Sequence, residues 1–105
     1  MGFNEIYEAA QDKNKEMLDQ ALQHVSIDVR TGQWYSPACK LAAEGDFEAA
    51  TWLQQRGANV NDIACGAARG GHEAYAERLR RDHSADVNWI ALGAAWGGHE
   101  AYAER

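Results

Sequence analysis

Nine residues of this chain, Gly70-Gly71-His72-Glu73-Ala74-Tyr75-Ala76-Glu77-Arg78, return letter for letter as Gly97-Gly98-His99-Glu100-Ala101-Tyr102-Ala103-Glu104-Arg105, at a period of 27 residues. Repetition at that interval is the mark of short supersecondary units stacked in a row, each unable to bury its apolar face except against its neighbours. Because such units contact mainly one another, a long surface stays free, which is the design of a binding scaffold.

Two short helical patterns joined by a glycine turn recur along the chain. The first helix of each unit is small and Ala-rich: Ile6-Tyr7-Glu8-Ala9-Ala10, Ala38-Cys39-Lys40-Leu41-Ala42, Ile63-Ala64-Cys65-Gly66-Ala67-Ala68 and Ile90-Ala91-Leu92-Gly93-Ala94-Ala95. Small side chains let such helices approach closely. The second helix carries larger apolar residues at helical spacing, Met17, Leu18, Ala21 and Leu22, then Phe47, Ala50 and Leu53, then Tyr75, Ala76 and Leu79. Gly45, Gly71 and Gly98 stand in the turn, where a left-handed backbone ends one helix. A tight return follows each second helix, with Val29, Val60 and Val87 expected to plug the space between units while Asp or Asn bonds the turn backbone.

These segments carry a resemblance. Ser36-Pro37-Ala38-Cys39-Lys40-Leu41-Ala42-Ala43-Glu44-Gly45-Asp46 is similar to the Thr-Pro-Leu-His-x-Ala opening of an ankyrin repeat and the turn after it, and Gly57-Ala58-Asn59-Val60-Asn61 resembles its closing segment. The resemblance implies an all-α fold: an α-solenoid of stacked helix-turn-helix ankyrin-like repeats, about three and a half to four units in a single domain over 1–105. The units run roughly 4–30, 36–61, 62–88 and 89–105, the last incomplete, and in the first Lys13 replaces the turn glycine. The pattern departs from the family in length. Ankyrin units span about 33 residues with a protruding β-turn finger, whereas the steps from Ser36 to Asp62 and from Asp62 to Trp89 are 26 and 27. Fingers are therefore expected to be missing at those junctions, leaving only Arg30 through Tyr35 long enough to form one. The last unit stops inside its second helix without a visible cap, which reads as a fragment of a longer array or an end completed by another molecule.

Charge and composition narrow the partners. A net charge of −6 over 105 residues repels phosphate backbones and anionic membrane surfaces, so neither nucleic acid nor membrane is expected as a partner. Arg78, Arg80 and Arg81 form the one basic cluster and read as a solvated helix face. The first residues are acidic where a signal peptide would be basic, so cytoplasmic residence is the expectation. Cys39 and Cys65 are too few for a disulfide framework and read as reduced, small apolar side chains.

No constellation of catalytic residues appears. Gly70-Gly71 follows a helix and lacks a P-loop lysine, and Glu73 with Glu77 lie one helical turn apart on an open face. His72 and His99 occupy equivalent places in units whose helices stack roughly 8–10 Å apart, too far for a shared zinc with bonds of about 2 Å. Each is expected to satisfy free amides at the start of its second helix. By the same spacing Cys39 and Cys65 should sit beyond disulfide reach. No enzyme activity, cofactor or metal is expected.

Four tryptophans are the best hint of function, since tryptophan is a favoured interface anchor. Trp52, beside Leu53, reads as core. Trp96 follows Ala94-Ala95 at the place of Arg69 and of Glu44, which in ankyrin-like proteins faces the concave side. Trp34 and Tyr35 lie in the one long loop, and Trp89 at a shortened junction. The partner-binding surface predicted from these positions is Trp34, Tyr35, Glu44, Arg69, Trp89 and Trp96, on a non-catalytic scaffold for a protein partner. The alternative is self-association through the C-terminal repeat, or a repeat region of a larger secreted bacterial effector.

Overall fold

Residues 2–30 and 35–97 are described in a computed structural model, and their regular structure is entirely helical: α1 (Phe3–Asp12), α2 (Lys15–Ala21), α3 (Pro37–Ala43), α4 (Phe47–Gln54), α5 (Val60–Arg69), α6 (Glu73–His83) and α7 (Val87–Trp96). The class is all-α. Trp34 and nearly all of the second copy of the duplicated motif, from Gly98 on, lie outside the described residues, as does the end that was expected to be uncapped. No helix among the described residues is long and apolar enough to cross a membrane.

The helices form pairs. α2 packs back on α1, α4 on α3 and α6 on α5, while α1, α3, α5 and α7 lie side by side in chain order. Between α1 and α2, Lys13 adopts a left-handed conformation (φ 52°), as Gly45 (φ 85°) and Gly71 (φ 79°) do at the corresponding turns. The lysine thus accepts the backbone shape that glycine takes freely, at the steric cost of a Cβ. Side chains start most helices. Asn14, Ser36 and Asp46 accept hydrogen bonds from the amides of Met17, Cys39 and Ala49 at 3.1, 3.2 and 3.1 Å.

α5 and α7 begin at Val60 and Val87, ahead of the unit starts read at 62 and 89. Asn59 and Asp86 explain the extra turn, since each accepts the amide proton two residues on, from Asn61 and Asn88, at 2.8 Å. α3 lacks that turn because Pro37 at its first position disfavours a helical residue before it. With the connection after α4 reduced to 55–59 and that after α6 to 84–86, no finger stands at either junction. The links between pairs are polar: Asp28 accepts from the amide of Asn59 at 2.9 Å and Asn61 from that of Asp86 at 2.7 Å. Val29 and Val60 pack partly against the core, but Val87 is 55% exposed and plugs nothing.

Each helix pair supplies one large fully buried residue from each member, Ile6 with Leu18, Leu41 with Leu53, and Ile63 with Leu79. Alanine and glycine fill the seam between pairs. A Cβ on Gly66 would stand 2.1 Å from the Cys39 carbonyl oxygen, and one on Gly93 2.0 Å from that of Cys65. The backbones of α3, α5 and α7 are therefore in direct contact. Both cysteines, one on either side of the α3–α5 seam, are free and buried, as expected of reduced, small apolar side chains. The neighbouring Cys39 side chain, together with burial, pushes the Cys65 thiol above its ordinary range.

Replacing a helical glycine by alanine ordinarily stabilises a helix by about 1 kcal/mol. Gly66→Ala should instead lose roughly 1–3 kcal/mol through overpacking against the Cys39 carbonyl, measured by urea unfolding followed by circular dichroism. A gain in stability would contradict the close approach.

Candidate functional site

The connection from α2 to α3 returns to the row of first helices at Tyr35, and there it meets α7. Tyr35 stacks on Trp96 with ring centroids 4.8 Å apart and meets Trp89 edge-on at 5.1 Å. Trp89 and Trp96 are seven residues apart, two helical turns, which sets both rings on one side of α7. From the last residue of α5 the Arg69 guanidinium lies 5.4 Å from the Trp96 ring, within cation–π range. Four of the residues singled out in the sequence, Tyr35, Arg69, Trp89 and Trp96, are thus brought into one cluster. Trp96 remains 48% exposed.

Glu44 is not among them. The left-handed turn residues Gly45 and Gly71 set the register, so Glu44 corresponds to Gly70, and the counterpart of Arg69 is Ala43. Set one place further round the helix end, Glu44 accepts a hydrogen bond from the Tyr7 hydroxyl of α1. Burial and this bond to a carboxylate push the Tyr7 phenol up to about 12, and the Lys40 ammonium sits 4.3 Å over its ring. Tyr7, Lys40 and Glu44 tie α1 to α3, well before the aromatic cluster in the order of helices.

Arg30 and Asp62 have no signature in the sequence, yet they hold the base of the cluster. The Arg30 guanidinium lies 5.4 Å from the Tyr35 ring, and its Nη1 donates to the Tyr35 carbonyl at 3.3 Å and to Asp62 Oδ1 at 3.2 Å. Asp62 is fully buried in the first turn of α5, and its Oδ2 has no hydrogen-bond partner. Burial lifts its carboxyl above the ordinary value, with Arg30 and the Ser36 hydroxyl opposing the shift. Ions paired across 32 residues of chain are invisible to pattern or spacing; only a charged residue at a position that proves buried would have been a clue.

The repeated turn histidine also does something other than predicted. His72 makes no cap bond to its own helix. Its Nε2 donates instead to the Ala43 carbonyl at the end of α3, at 3.2 Å, with the ring edge-on to Phe47 at 5.1 Å. The role is structural and reaches back to the preceding helix pair. Trp52, expected in the core, is only half-buried, with the Arg56 guanidinium 3.9 Å from its ring. Among the described residues, no group of three or more His, Cys, Asp and Glu side chains is arranged to hold a metal ion. Comparison with family models, curated proteins and solved structures finds no match to this chain.

The raised Asp62 carboxyl makes a signed prediction. The native group takes its proton at higher pH than the ordinary 3.8, so folding binds protons above that value and this group's contribution to stability falls as pH rises through the window. The Tm difference between wild type and Asp62→Asn should therefore move in favour of wild type as pH is lowered from about 7 to about 4. A difference that is flat with pH would show that Asp62 is not buried as described.

Proposed function

We propose that this chain is an α-solenoid of short ankyrin-like repeats that recognises a protein partner and performs no chemistry. What carries the reading is the convergence of Tyr35 with Trp89 and Trp96 beside Arg69, with Trp96 half-exposed. Aromatic and arginine side chains in a half-exposed cluster are the usual anchors of an interface, combining large contact area with low conformational entropy. The helix pairs, their left-handed turn residues and the His72 bond to the preceding pair are what stacked repeats require, and they support the solenoid reading. Trp34 lies outside the described residues and is proposed with this surface from its place beside Tyr35 in the sequence alone. Glu44, on the α1 side of the row, would extend it only for a partner spanning several helices. Two free cysteines suit a reducing compartment, the cytoplasm.

The second reading is self-association, favoured by one observation on α7: Val87, Leu92 and Trp96 are 55%, 39% and 48% exposed. An apolar helix at the end of the described stack is a natural place for another copy to dock. The readings separate by mass in solution, since a strictly monomeric chain at high concentration would dismiss self-association.

For the first reading, the double substitution Trp96→Ala with Arg69→Ala should reduce binding of a partner isolated with the wild-type chain by at least about 100-fold. Helical circular dichroism should be unchanged. Undiminished affinity would remove this surface from consideration.

A further inference from the structure

The second helices present a feature that the aromatic cluster does not use. α4 and α6 are carried by α3 and α5, whose backbones touch, but the bulkier residues on α4 and α6 keep those two helices apart. Between them lies a groove of about 460 Å³, within the range of sites that take a small ligand or a few residues of peptide. Phe47 and Tyr75, with rings 4.1 Å apart, and the half-buried Trp52 give it an aromatic floor. The Thr51 and Tyr75 hydroxyls, 3.1 Å apart, add a polar pair within it.

The rim supplies the charge. Arg78 is exposed at one border, and no ion pair involves it among the described residues. Lys13 stands at the rim with Glu48, 3.5 Å apart, and Glu48 is 83% exposed. A surface pair of this kind contributes little and exchanges readily. In a protein of net charge −6, the groove is bordered by two cations, Lys13 and Arg78, against the single carboxylate of Glu48, a local excess of positive charge.

We infer that this groove is a second binding site, for a segment of a partner protein that presents an aromatic side chain flanked by carboxylates. The ring would lie on Phe47, Tyr75 and Trp52 while the carboxylates meet Arg78 and Lys13, the latter exchanging Glu48 for the incoming acid. This site is independent of the Tyr35–Trp96 surface, which involves neither α4 nor α6.

The test uses the whole chain, labelled with nitrogen-15, and the peptide acetyl-Asp-Phe-Asp-amide. Saturable shifts are expected at Thr51, Tyr75, Arg78 and the Trp52 indole, with affinity in the millimolar range. Arg78→Gln should weaken binding about fivefold, and Glu48→Gln, which removes the competing carboxylate, should strengthen it about twofold. Both positions are at the surface, so folding is preserved, and the two changes move affinity in opposite directions. The neutral peptide acetyl-Asn-Phe-Asn-amide and the ring-less acetyl-Asp-Ala-Asp-amide should each bind at least fivefold more weakly. Absence of shifts at millimolar peptide, equal binding of the neutral peptide, or shifts confined to Tyr35, Trp89 and Trp96 would each overturn the assignment.

Discussion

Backbone contact between neighbouring helices is the constraint on which this structure rests. With Gly66 against the Cys39 carbonyl and Gly93 against that of Cys65, no side chain separates α3, α5 and α7. Close backbone packing replaces side-chain interdigitation along the seam. The core can then be built mostly from alanine, with one isoleucine or leucine per helix providing the bulk. Gly70 extends the same rule, since a Cβ there would stand 2.2 Å from the Ala43 carbonyl and would meet the His72 ring that bonds to it.

Both candidate surfaces follow from that seam. Helices in contact through small residues bring their outward side chains close together, so Arg69 at the end of α5 reaches Trp96 at the end of α7, and Tyr35 bridges to both tryptophans on α7. On the other side of the molecule the second helices carry Phe47, Trp52 and Tyr75 and cannot follow their partners into contact. A groove opens between them. Tight packing on one layer and a cleft on the other are two results of one distribution of side-chain volume.

Much of this was legible in the chain. The duplicated motif and the alternation of Ala-rich with larger apolar segments foretold paired helices, and Gly45 and Gly71 marked left-handed turns where they were found. The shortened steps foretold the missing fingers. Other readings failed for local reasons. α5 and α7 start early because Asn59 and Asp86 cap them, whereas Pro37 denies α3 the same turn. The place of Glu44 beside Arg69 fails because Glu44 stands only one residue before its turn glycine and Arg69 two, and one residue on a helix is a rotation of about 100°. That rotation turns it toward Tyr7 and away from the aromatic cluster.

What the sequence determined by itself is periodic: helix type, pair spacing, turn conformation and the identity of the small-residue face, all of which depend on residues within a turn or two of one another. Only the tertiary structure decided which distant residues meet. The Arg30–Asp62 pair, the approach of Gly66 to the Cys39 carbonyl, the reach of His72 to Ala43 and the cleft between α4 and α6 each depend on how closely the helices approach. That separation is set by steric contact across the glycine seam, a property of two backbones together that neither segment carries alone.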